Sequence, residues 1–122
     1  MFDLLPEEAR LLLKTALMAI GQNRFVSAAK ILEALERFRP DEPSPAVANA
    51  ILRISMLDFR GAVDYIDRIA LPRFPESGML LAFKGMALLR MNRDAEAFLP
   101  LTQAANQSAD PAAAQLAKDL LS

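Results

Sequence analysis

The chain contains no cysteine and no histidine, and each absence removes a class of chemistry. Without cysteine there are no disulfides, thiolate metal ligands or thiol nucleophiles; without histidine there is no imidazole for zinc or for general acid–base work. Neither sign of charge dominates, since 14 basic and 15 acidic residues leave a net charge of −1 and no general attraction to nucleic acid. Only Arg37 and Arg39 approach a basic cluster, and Phe38 between them is expected to pack rather than to stack on bases. Long apolar runs are missing too: the longest stretch, "MLLAFKGMALL", is interrupted by Lys84 and is too short to cross a bilayer. The start, "MFDLLPEEAR", has neither the basic nor the apolar region of a secretory signal. The four glycines, at 21, 61, 78 and 85, are isolated, so no phosphate-cradling loop is present. These absences predict a soluble cytoplasmic protein with no metal and no cofactor.

At 122 residues and 53% hydrophobic composition, the chain is long enough for one domain with a real core and too short for two. Alanine and leucine dominate and period-two alternation is absent, which predicts an all-α fold. Seven helices are expected. The first opens at Pro6, with Glu7 and Glu8 in its first turn, and stops at Gly21–Gln22–Asn23. The second covers Arg24 to Phe38. Ser44 as N-cap and Pro45 as first helical residue open a third that runs to Leu57. A fourth spans Phe59 to Ala70, where "LPRFPES" is expected to break the chain. Glu76 to Met91 and Arg93 to Asn106 follow, and Asp110–Pro111 begins a last helix ending at Leu121.

What is present in abundance is repetition. "FVSAAKILEAL" at 25–35 and "FRGAVDYIDRI" at 59–69 match at one offset: Phe25 with Phe59, Ala28 with Ala62, Leu32 with Ile66, Leu35 with Ile69. That offset, 34 residues, is the length of a tetratricopeptide repeat, a helix–turn–helix unit. Units at 9–42, 43–76 and 78–111 align small residues Ala16, Ala50 and Gly85 in the first helices with Ala28, Ala62 and Ala97 in the second. Close approach of paired antiparallel helices requires small side chains there. Larger apolar residues align behind them: Leu32, Ile66 and Leu101, then Leu35, Ile69 and Ala104. The third unit is shifted by one residue and has Asp94 in place of the phenylalanines. The expected architecture is a helical-hairpin solenoid of about three repeats, a single domain over 1–122. A capping helix over about 111–121 carries Leu116, Leu120 and Leu121 on one side.

In such an array the first helices line the concave face. The inward sites are then Leu13, Leu17 and Ile20; Val47, Ile51 and Ile54; and Met79, Ala82, Met86 and Leu89, with Phe83 alongside. All are apolar. The fifth helix is apolar almost all round and must be covered on every side. A groove of Leu, Ile and Met suits the apolar face of a partner helix. Tetratricopeptide domains that recognise acidic carboxyl termini carry a Lys, Arg and Asn clamp along this groove; here those places hold Leu13, Leu17, Ala48, Met79 and Phe83. Catalysis is not expected. The pairs Asp64/Asp67 and Glu33/Glu36 read as solvated charges paired with Arg60, Arg68 or Arg37, and Ser27, Ser55 and Ser77 have no histidine to activate them.

Three stretches, "ISMLDFRGAVDYIDRIALP", "LLAFKGMALLRM" and "QSADPAAAQLAKDLL", resemble the small tetratricopeptide chaperones of bacterial type III secretion that hold the needle subunit (the YscG/PscG class). The likeness covers about residues 9–122. It implies a chaperone whose groove holds an amphipathic helix of a secreted needle subunit and prevents premature polymerisation in the cytoplasm. It also implies a second, smaller helical co-chaperone packed near the helix at 6–21. The alternative, from another class, is a structural scaffold or adaptor subunit that self-associates or bridges partners in a larger assembly.

Overall fold

Pro6 begins the first helix of the computed structural model, which describes residues 4–107 and 109–122. Its ring presets the helical φ, and Glu8 reaches back to accept the Leu5 N–H at 3.0 Å. Seven helices follow one another among the described residues: α1 (Pro6–Gly21), α2 (Phe25–Phe38), α3 (Ser44–Ser55), α4, α5 (Gly78–Arg90), α6 (Asp94–Ala105) and α7 (Pro111–Leu121). The fourth, α4, runs without a break through Phe59–Tyr65, a π-helical turn at Ile66–Ala70, and Leu71–Arg73. No helix among them is long and apolar enough to cross a membrane. The fold is all-α, as expected.

Three of the interhelical turns share one geometry. Asn23, Leu57 and Asn92 have φ of 61°, 62° and 60°, the left-handed conformation that closes a helix. The next residue then donates back across the turn: Arg24 N–H to the Ala19 carbonyl, Asp58 to Arg53, and Arg93 to Leu88, at 2.8, 2.9 and 2.9 Å. These turns lie 34 and 35 residues apart. Each reverses the chain tightly, so α1 packs on α2, α3 on α4, and α5 on α6. The odd-numbered helices also pack on one another in sequence, from α1 to α3, to α5, to α7.

The small residues lie where the helices cross. Ala16, Ala50, Ala28, Ala62 and Ala97 have no exposed surface, and Gly85 is buried with them. A Cβ on Gly85 would collide with the Leu101 side chain of α6, so that crossing requires a glycine. Behind them Leu32, Ile66 and Leu101 are buried, each worth about 1.5–3 kcal/mol relative to exposure.

Ile69 departs from the expected pattern. It is 47% exposed, and Ala70 takes the buried position instead. The cause is the π-helical turn, in which the Leu71 N–H bonds the Ile66 carbonyl five residues back, not four. The extra residue rotates everything after Ile66. The turn lies just before Pro72, whose ring would crowd a carbonyl four residues back in a regular α-helix, and the wider turn lets α4 continue to Arg73. Other boundaries shift less. Ser44 is inside α3 and not its N-cap, a place held by Pro43, and α3 stops at Ser55. Ser77 caps α5 by accepting the Leu80 N–H at 3.2 Å, and Asp110 caps α7 by accepting from Ala113 at 3.1 Å.

The acidic pairs divide. Glu33 with Arg37 and Asp64 with Arg68 are exposed one-turn ion pairs, as expected. Asp67 instead reaches Lys84 of α5 at 2.8 Å. Glu36 is half-buried, accepting the Tyr65 hydroxyl at 2.6 Å and the Asn49 amide at 2.9 Å. It ties α2 to α3 and α4 instead of facing solvent.

Candidate functional site

Residues four apart on a helix share a face. Leu13 and Leu17 do so on α1, and Val47 and Ile51 on α3. Packing α1, α3 and α5 side by side brings these two pairs together with Met79, at the start of α5, around an open concavity of about 310 Å³. Its walls are otherwise Pro43, Ser44, Ala48, Ser77 and Asp110. Leu17 is 40% exposed and Val47, Ile51 and Met79 are half-buried, so their apolar surface remains open to solvent. A second concavity adjoins the first through Leu13 and Leu17 and extends outward over Arg10, Lys14 and Met18 of α1.

Five of the expected groove residues therefore meet: Leu13, Leu17, Val47, Ile51 and Met79. The other six do not line this concavity. Ile20, 6% exposed, belongs to the core beneath α1 and α2, and Ala82, with no exposed surface, to the core among α5, α6 and α7. Phe83 packs against the core around Tyr65 and Ile66, and Leu89 against the one around Leu101. Ile54 and Met86 are half-buried towards the far ends of α3 and α5. The reason is the contacts of α5, which packs on α3, α4, α6 and α7 at once. Most of its apolar surface is consumed by the fold, Met79 at its start being the member that reaches the concavity, and of its residues only Arg90 is exposed.

The polar members of the wall went unrecognised in the sequence as site residues, although Ser77 and Asp110 carry a signal. Both stand immediately before a helix start, and helices that begin side by side put their caps at one end of the groove. The lining offers van der Waals surface, two hydroxyls and one carboxylate already engaged as a cap. That lining suits contact with another apolar surface. No protein-family model matches the sequence, and no curated protein matches it.

Proposed function

We propose that the chain is a cytoplasmic chaperone that holds an amphipathic helix of a secreted type III secretion needle subunit in this concavity and so prevents premature polymerisation. The observation that carries the reading is the meeting of Leu13, Leu17, Val47, Ile51 and Met79 on one open face. An apolar face of this kind, left in water, is a binding surface or an aggregation hazard. A helix laid across α1, α3 and α5 would cover it, burying on the order of 800 Å² on each partner. In the same reading α1–α2, α3–α4 and α5–α6 are three tetratricopeptide-type units and α7 is the cap. The matched left-handed turns and the fully buried Ala28, Ala62 and Ala97 support that assignment. The resemblance of the sequence to needle-subunit chaperones supplies the partner class, and a small helical co-chaperone would sit near α1.

A scaffold reading rests on a different surface. Phe98 and Leu99, adjacent on α6, are each 63% exposed, and an assembly contact would cover them.

The test is co-expression with a needle subunit from the same genome, followed by pull-down. Ile51→Asp sets a carboxylate against the apolar face of the ligand and is expected to abolish capture with helicity retained. Because Ile51 also packs against the core under α1, Leu17→Asp provides the same challenge at a more exposed site. Capture that survives both substitutions, in protein whose circular dichroism is unchanged, removes the groove from the mechanism.

A further inference from the structure

The apolar face has a charged end. On α1, Arg10 and Lys14 stand one turn apart on the surface beside Leu13 and Leu17, and with Met18 they line the outward extension of the concavity. Like charges at this spacing repel, which lowers helix stability slightly unless an acid intervenes. Glu7 stands one turn before Arg10 but forms no ion pair with it, and from Ala9 to Gly21 the helix has no acidic residue, so Lys14 has none within a turn. Among the described residues, neither cation forms an ion pair, so both charges remain available to a ligand. At the opposite end, beside Ser77 and Met79, the single ionisable group in the wall is the Asp110 carboxylate. The groove is thus apolar along its length and cationic at the α1 end.

We infer that the groove selects an amphipathic helix carrying carboxylates at one end of its apolar stripe, and that Arg10 and Lys14 are the specificity-determining residues that pair with them. The inference rests on the groove reading above and adds the chemistry of the occupant. Apolar contact alone accepts any helix of suitable width, while a cationic rim discriminates by charge and sets which end of the ligand lies on α1. A partner helix with basic residues at that end would meet two like charges free of ion pairs.

Three synthetic helical peptides, identical in their Leu/Ile stripe and matched in helicity by circular dichroism, test this. They carry two Glu, two Gln or two Lys at one end of the stripe. The expected order is Glu tighter than Gln, and Gln tighter than Lys, with about a five- to ten-fold gap between the first and last at low salt that shrinks as salt is added. In the double variant Arg10→Glu, Lys14→Glu the order should reverse, the Lys peptide now binding best. Both substituted side chains are exposed, so the fold is expected to be retained. Equal binding of the three peptides to the native protein, still abolished by Leu17→Asp, overturns the charge selection and leaves the groove standing. A preference that does not reverse in the double variant also overturns it, by placing the selection elsewhere. Binding indifferent to both Leu17→Asp and peptide charge removes the groove reading itself.

Discussion

The Tyr65 hydroxyl lies 2.6 Å from the Glu36 carboxylate, where α2, α3 and α4 meet, and the Arg53 guanidinium stacks 4.7 Å from the ring centroid. Burial pushes the phenol well above its ordinary range, and the hydrogen bond to Glu36 and the charge of that carboxylate push it further. The positive charges of Arg53 and Arg73 pull the other way without cancelling them. The folded state therefore keeps this proton at a pH where the unfolded chain has lost it. Its contribution to stability is intact below the unfolded value of about 10 and is lost as pH rises beyond it, because the native form then binds more protons than the unfolded one. As Tyr65 is the single tyrosine and there is no tryptophan, ultraviolet difference absorbance follows it without interference. Tyrosinate should appear at higher pH in native protein than in denaturant, together with the loss of helicity. Tyr65→Phe should cost about 1.5–3 kcal/mol near neutral pH, the worth of a hydrogen bond to a charged acceptor, and flatten the alkaline decline. Tyrosinate appearing at the same pH in folded and unfolded protein would refute this.

At the scale of the element, the turn between α3 and α4 differs from its two counterparts. Asn23 and Asn92 suit the left-handed conformation because a short polar side chain tolerates it, whereas Leu57 adopts the same φ with a side chain that does not. Leu57 is also 68% exposed, so no burial offsets the strain. Leu57→Asn should therefore raise stability by about 1 kcal/mol, seen as a higher urea midpoint with an unchanged slope. A midpoint that stays or falls would show that Leu57 makes contacts of its own. Elements of this kind also mark how far the sequence was legible. The 34-residue offset located Ala28, Ala62, Leu32 and Ile66 as core, because small-residue crossings and apolar spacing are local signals. It failed at Ile69, because one widened turn rotates a helix without changing a single apolar position in the text. Glu36 was misjudged for a related reason: its partners Asn49 and Tyr65 come from other helices, and no spacing within α2 announces them. In the groove, Leu13, Leu17, Val47, Ile51 and Met79 came from helix periodicity, while Ile20 and Ala82 were lost to the core. How much of a helix its neighbours cover is a property of the packing, not of the helix.

At the scale of the whole molecule, two of the exposed apolar surfaces bear on how the free protein should behave. One is the concavity, continued by Met18 at 55% exposure; the other is the Phe98–Leu99 pair on the outer side of α6. Exposed apolar area drives self-association in proportion to how much of it is contiguous, and the concavity combines residues from three helices where α6 offers two neighbours. The isolated protein is therefore expected to associate as its concentration rises, with the concavity as the adhesive surface, and to become monodisperse when a ligand helix fills it. Light scattering over a dilution series measures this directly. Leu17→Asp should shift the protein towards monomer, and Phe98→Ser with Leu99→Ser should leave the association unchanged. The opposite pattern, in which only the α6 substitutions release monomer, would make the outer face the assembly contact and favour the scaffold reading. A monomer at all concentrations, unaffected by either change, would mean that the open groove is tolerated in water and that the need for a partner has been overstated.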